Sequence, residues 1–246
     1  MHLKHIPMDG PQNFRDLGGY LNKDGLMSAW NRLYRADGLN GLSEKDADRF
    51  KALNIRTIVD LRGSFEQQAM PDIVPEGVTY CSCPLIKEEI SGEKTLKQNT
   101  FVQSLVVGYR TMINEGHEQI GAAASAVMEG LEKGAVVFHC TAGKDRTGIL
   151  AAVLLLALGM EEEDIIADYQ VSHTYNAKGV NRMLDESPEM KAFVEAAGED
   201  SMMHSHPKNI QAVLELLNSG NISEWLEEAG VPLKLQRRFR EMMLEN

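Results

Sequence analysis

The sequence predicts an α/β fold: a central, mainly parallel sheet of about four to five strands, flanked by helices and extended by a helical C-terminal elaboration. Short runs rich in β-branched residues alternate with helical patterns over the first 140 residues, and strands separated by helices imply parallel pairing. From Thr147 onward the pattern is helical almost to the end. With 246 residues, 43% hydrophobic and 25% charged, the chain can bury a sizeable core without disulfides or metals. Residues 1–246 are expected to form one domain, with 1–160 as the sheet and its central loop and 161–246 as the elaboration.

Four runs read as strands: residues 32–35, 55–61, 78–83 and 135–139. Residues 43–53 read as a helix that Ser43 opens, with Asp46 three positions on completing a capping signal. Phe101, Val102, Leu105, Val106, Tyr109, Met112 and Ile113 keep one helical stripe, as does the stretch 120–131. The polar segment 87–100 is the expected mobile loop. Beyond Thr147, Pro188, Pro207 and the turns at 198–200 and 219–221 divide the helices, Asn221 is a cap before Ile222, and Pro232 sits where a first turn tolerates it. The longest apolar run, residues 149–158, is half a membrane span and reads as a buried helix.

Acidic residues outnumber basic ones by 36 to 25, for a formal charge of −11. Such a field disfavours nucleic acid and anionic membranes as partners, so an anionic substrate needs a local cluster of positive groups. The three cysteines, Cys81, Cys83 and Cys140, are too few for a disulfide framework and suit a reducing compartment or a reactive thiol. The N-terminal residues hold no apolar stretch of signal-peptide length, and a cytoplasmic location is the expectation.

The decisive segment is His139-Cys140-Thr141-Ala142-Gly143-Lys144-Asp145-Arg146-Thr147-Gly148, between a strand and a long apolar helix. A strand–loop–helix unit gathers backbone N–H groups and a positive helix end around one point, which is an anion site. Five residues separate Cys140 from Arg146, enough for the backbone to curl round a tetrahedral oxyanion with the sulfur beneath and a guanidinium gripping two oxygens. Gly143 permits the curvature, and Gly148 allows close packing of helix on sheet. N–H dipoles and cations favour the thiolate form of a cysteine so placed. His139, Lys144 and Arg146 supply that positive character, and Thr147 is placed to donate to the thiolate. A nucleotide-binding loop is excluded, because Lys144 is followed by Asp145 and Phe138 stands where a glycine is required.

This decamer resembles the signature of the cysteine-based protein tyrosine phosphatases. The run from Ala142 to Gly148 is similar to the bacterial and fungal tyrosine/dual-specificity branch, whose members often also accept phosphoinositides. The resemblance extends to Asn13-Phe14-Arg15-Asp16-Leu17-Gly18-Gly19, Leu33-Tyr34-Arg35-Ala36, Val59-Asp60-Leu61-Arg62, Asp168-Tyr169-Gln170-Val171-Ser172 and Ile222-Ser223-Glu224-Trp225-Leu226. It implies Cys140 as nucleophile, Arg146 as phosphate clamp, Asp145 as general acid within the loop, and His139, Thr141, Ala142, Gly143, Lys144 and Thr147 as the substrate-binding cradle. Neither metal nor cofactor is implied. The Trp-Pro-Asp tripeptide that carries the acid in most other tyrosine phosphatases is absent, since Trp30 and Trp225 precede Asn31 and Leu226.

Each residue also has a plainer reading. Cys140 alone would be a buried structural cysteine, and Asp145 an acid that steadies the helix dipole. Asp60 and Asp37 are the rival acids. Lys144 is either a solvated side chain or a phosphate contact, while Arg15 and Arg62 read as structural partners of aspartates. Cys81 and Cys83 alternate on a strand, so one at most faces the cleft, and packing is their expected fate; a resolving thiol for Cys140 is the alternative. The Cys-x-Cys pair lacks the partners of a zinc site, and His173, His204 and His206 read as surface or helix residues. The implied substrate is a phosphotyrosine protein or a phosphorylated small molecule. A phosphoinositide phosphatase, a thiol redox enzyme and a non-catalytic phosphate-binding module are the alternatives.

Overall fold

The computed structural model describes residues 2–86, 105–197 and 203–246. The first half contributes β1 (Arg15–Asp16), β2 (Met27–Ser28), β3 (Leu33–Ala36), α1 (Glu44–Ala52), β4 (Ile55–Asp60), α2 (Ser64–Ala69) and β5 (Thr79–Ser82). Then come α3 (Leu105–Glu115), α4 (His117–Gly130), β6 (Ala135–His139) and α5 (Asp145–Leu158). The chain ends with α6 (Glu162–Glu186), α7 (Pro188–Ala197), α8 (Pro207–Leu217), α9 (Ile222–Glu228), α10 (Leu233–Met243) and β7 (Leu244–Glu245).

The main sheet has the order β1-β3-β6-β4-β5; β1 runs antiparallel to β3 and every other pairing is parallel. Its central strands alternate between two cores. Leu33, Val59, Val136 and Phe138 enter the larger core with α3, α4 and α5, whereas Tyr34, Ile58, Ala135 and Val137 enter the smaller one with Phe50 of α1. A parallel sheet buried on both faces needs such a period-two division with apolar residues on each side. Helix α5 is buried on nearly every side, from Thr147 to Leu155, and ends at Gly159, whose left-handed φ of 81° is a common helix stop. No helix among the described residues is long and apolar enough to cross a membrane.

Ser43 and Asp46 form the expected reciprocal cap of α1, and Asn221 accepts from Ser223 N–H at the start of α9. Pro232 immediately precedes α10. The strands β1, β2 and β7, two residues each, were not anticipated, because two residues show no alternation; β2 pairs with β7 and ties the C-terminus back to the first half. Helix α2 was not anticipated either. Phe101, Val102, the expected mobile loop 87–100 and the turn 198–200 lie outside the described residues.

Candidate active site

Strands β3, β4 and β6 end level with one another, with Ala36 and Asp60 both opposite His139. Residues 140–144 then cross the carboxyl edge of the sheet, where α/β folds place their sites, and Asp145 begins α5. Five consecutive carbonyls of this crossing are tied outward. His139 Nδ1 lies 3.1 Å from the Cys140 oxygen, and Gly38 N–H donates to Thr141 at 3.0 Å. Ala142 O accepts from Asn13 and Asn176 at 3.0 and 2.8 Å; Gly143 O accepts from Asn13 and Arg35 at 3.1 and 2.7 Å. Lys144 O takes the first intrahelical bond, from Gly148 N–H at 2.8 Å. No peptide bond here is cis. In a trans peptide the N–H points opposite to the C=O of the same unit, so the N–H groups of residues 141–145 turn to the inner side of the loop.

Gly143 makes the curl possible twice over. Its φ is 63°, and a Cβ there would lie 2.4 Å from the Ala36 oxygen. Gly148 differs from the expectation: the surface it approaches is the Tyr169 ring of α6, 2.9 Å from an ideal Cβ, with Arg35 of the sheet farther away at 3.7 Å. Cys140 is 2% exposed, while Thr141 and Ala142 beside it are exposed.

Behind the loop, Asp168 of α6 receives Arg15 at 2.9 Å and Arg35 at 2.6 Å. Burial alone would raise the Asp168 carboxyl; the charges of Arg15 and then Arg35 overcome it and hold it well below the usual carboxylate range. Burial also lowers Arg35, to about 10, with the like charge of Arg15 adding to the effect. Arg15 thus pairs with an aspartate as expected, and so does Arg62, which reaches Asp60 and Asp72 at 2.8 Å each.

His139 is placed differently from the expected cradle residue. It is wholly buried between the Cys140 carbonyl and Asp72, whose Oδ2 lies 2.9 Å from Nε2, so in this arrangement it supports the loop from behind. The trio Asp60, Asp72 and His139 has the spacing of a metal site. The cation already lodged between its two carboxylates is Arg62. Lys144 is buried rather than solvated, its Nζ 3.1 Å from the His204 carbonyl and 3.4 Å from Asp145 Oδ1. Thr147 is fully buried, yet its Oγ1 has no partner among the described residues, so the expected bond to the Cys140 sulfur is not formed in this arrangement of the loop.

Asp145 keeps a side chain one-third exposed at the start of α5. The rival acids are committed elsewhere. Asp60 is fully buried against Arg62, and Asp37 anchors the N-terminal segment by accepting from Gln12 and Asn13 N–H. Cys81 and Cys83 both pack against the larger core, and the expected division between them fails because residues two apart on an extended strand point to the same face. Burial, then the neighbouring Cys81, pushes the Cys83 thiol up to about 11. All three cysteines are free thiols. His206 caps α8, and the exposed His173 meets His204 edge to face.

Glu66 escaped the sequence reading, as did Asn176 and Asp72. Glu66 of α2 meets Arg146 through both oxygens, at 2.5 and 2.8 Å, and accepts from the Thr141 hydroxyl at 2.5 Å. Burial would raise its carboxyl; Arg146 overcomes this and holds it at about 2. Burial disfavours the Arg146 charge, yet Glu66, Cys140 and Asp145 hold that guanidinium above its ordinary value. The available signal was a glycine N-cap, Gly63, with Glu at the third helical position, whose carboxylate returns to Gly63 N–H at 3.2 Å.

The chain is similar to several known proteins. A Cupriavidus necator protein with a provisional tyrosine-protein phosphatase name is 27% identical over 183 residues, 70% of this chain and 64% of that one. A Nostoc commune tyrosine-protein phosphatase is 29% identical over 80% of this chain and 69% of its own. The triple specificity protein phosphatase PtpB of Mycobacterium tuberculosis is 24% identical over 99% of this chain and all of its own. The crystal structure of Pseudomonas aeruginosa TpbA superposes with a TM-score of 0.42 at 10% identity, covering 87% of this chain and 96% of that one. The model of the tyrosine phosphatase family matches residues 6–245, which takes in the loop, the arginines that brace it and the C-terminal helices. The chain belongs to the tyrosine phosphatase family.

Proposed function

We propose that the protein hydrolyses phosphate monoesters, phosphotyrosine first, through a cysteinyl-phosphate intermediate. The observation that carries the reading is the outward tethering of five successive carbonyls, which turns the amides of residues 141–145 inward beside Cys140. Fixed N–H dipoles that need no reorganisation favour a phosphoryl group and its transition state over neutral occupants. Arg146 adds a guanidinium for two phosphate oxygens. These groups supply the positive charge that a metal would otherwise supply.

In the first step the Cys140 thiolate attacks phosphorus in line, the S–P bond forms, and the ester P–O bond breaks as Asp145 protonates the departing oxygen. In the second, Asp145 takes a proton from water, the new P–O bond forms, and the S–P bond breaks to return thiolate and inorganic phosphate. Cys140 lies nearly inaccessible beside an exposed rim. The longer phosphotyrosine spans such a recess more readily than phosphoserine, which favours the aromatic ester. The name of the Mycobacterium relative, triple specificity, keeps a wider range of esters in view.

Turnover of a phosphotyrosine peptide is expected to persist in EDTA, to be blocked by vanadate, and to vanish in Cys140→Ser with the fold intact by circular dichroism. Full activity in that variant would overturn the scheme. Side-by-side rates on phosphotyrosine peptides, phosphothreonine peptides and soluble inositol phosphates test the substrate order, and an inositol phosphate turned over fastest would reverse it.

A further inference from the structure

We infer that Tyr109 is a positioning residue for the proton donor: at the end of a one-way hydrogen-bond chain, its hydroxyl pins one oxygen of Asp145 and leaves the transferable proton on the other. This rests on Asp145 being that donor. The chain begins at Asn209 of α8, whose side-chain N–H reaches the Tyr169 hydroxyl of α6 at 3.4 Å. The Tyr169 hydroxyl lies 2.8 Å from that of Tyr109 on α3, and Tyr109 donates to Asp145 Oδ1.

The direction follows from the chemistry of the groups. An amide nitrogen only donates, and an ionised carboxylate only accepts. Tyr109 has one proton and gives it to Asp145, so the proton between the two tyrosines belongs to Tyr169, which in turn accepts from Asn209. No link can reverse while Asp145 is ionised. Lys144 Nζ lies 3.4 Å from the same Oδ1. Two donors therefore converge on Oδ1, and a proton taken up by the carboxyl settles on Oδ2.

The chain is rigid as well as directed. Tyr109, Tyr169 and Asn209 are 0%, 1% and 3% exposed, and the two rings meet edge to face at 6.2 Å. Gly148 leaves the space in which the Tyr169 ring sits. Burial first, and the Asp145 charge next, hold the Tyr109 hydroxyl well above its ordinary value, so it stays a donor throughout the neutral range. Three helices outside the loop thus fix a carboxyl within it. An O–H on an otherwise apolar helical stripe needs a buried partner, which is the signal the sequence offered.

The test compares esters with poor and good leaving groups, phenyl phosphate and 4-nitrophenyl phosphate, in Tyr109→Phe, Tyr169→Phe, Asp145→Asn and Asp145→Asn/Tyr109→Phe. Tyr109→Phe keeps the ring and is expected to lower kcat/KM, which reports the step that expels the leaving group, about tenfold on phenyl phosphate, the order of one hydrogen bond to a charged group. The loss of kcat/KM on 4-nitrophenyl phosphate, whose leaving group needs little protonation, should stay below about threefold. Tyr169→Phe, one link back, should give a smaller loss with the same dependence. In the Asp145→Asn background Tyr109→Phe should cost nothing further. Equal losses on both esters, no loss on either, or additivity with Asp145→Asn would overturn the inference alone. An Asp145→Asn variant that ignores the leaving group would overturn the donor assignment and this inference with it.

Discussion

Behind the loop, Arg15 and Arg35 share Asp168 with side chains 0–2% exposed, whereas in front of it Arg146 meets Glu66 with side chains 14% and 32% exposed. The pairing chemistry is the same and the consequences are opposite. The rear cluster is closed: Arg15 also donates to the Asn13 carbonyl, the Asp168 carbonyl and the Ser172 hydroxyl, and Arg35 draws back the Gly143 carbonyl. Buried charges persist there because partners surround them. The front cluster stays open to water, so an anion can join it at little cost. A phosphate-gripping arginine needs that second setting, and the backbone it works with needs the first.

Replacing Asp168 with Asn should break this contrast most severely. The amide fits the space but leaves Arg15 and Arg35 buried without a counter-charge, a change of about 3–5 kcal/mol. For a chain of this size that is a fall of about 10 °C in Tm. Loss of activity should track loss of fold, since the variant removes no group that meets substrate. A thermal melt within about 1 °C of the parent would show that the rear arginines do not depend on Asp168.

The same division governs what was legible beforehand. The loop was readable because its residue types are contiguous and each has a chemical reason to be there. The rear cluster was readable in part: Arg15 was expected to pair with an aspartate, but Asn13, Arg35 and Asp168 were visible only as scattered matches to a family pattern. Their common task depends on contacts between residues 108 or more apart in sequence, such as Arg35 with Gly143, Asn13 with Ala142 and Arg15 with Asp168. Local periodicity holds no trace of that. Glu66 was missed because α2, six residues with none buried, has no apolar stripe. His139 and Lys144 were placed in the substrate cradle, whereas the first lies buried against Asp72 and the second turns toward His204. Composition sets the sign of a charge but not the direction in which its side chain points.

Glu66→Gln sharpens the contrast with a smaller effect. The carboxylate occupies both terminal nitrogens of Arg146, which leaves the ε N–H side of the guanidinium for phosphate. Glu66 therefore orients Arg146 and does not displace substrate. The amide cannot accept two N–H bonds in this fork, so KM and the inhibition constant for vanadate should each rise about tenfold, the order of one charge-assisted hydrogen bond. Tighter binding of vanadate in the variant would show instead that the carboxylate competes with phosphate for Arg146.

The smallest effect concerns pH, and it separates the open cluster from the closed one. In the folded protein Glu66 titrates at about 2, against an ordinary value of 4.5. As pH falls through that interval the unfolded chain takes up a proton that the folded chain refuses, so the stability lent by ionised Glu66 is complete above 4.5 and is lost towards 2. The Tm difference between the parent and Glu66→Gln should accordingly be flat above about pH 5 and shrink as pH is lowered to about 3. With Glu66 one-third exposed, the difference should be a few degrees at most and should narrow in high salt. Asp168 should show the same direction over a lower interval: the parent-to-Asp168→Asn difference should begin to shrink only as pH falls below the ordinary value of 3.8, and, with the pair out of reach of solvent, it should not narrow in high salt. A Glu66 difference that stayed flat to pH 3 would mean that Arg146 does not hold the Glu66 carboxyl below its ordinary value and that the pair lends the folded state nothing.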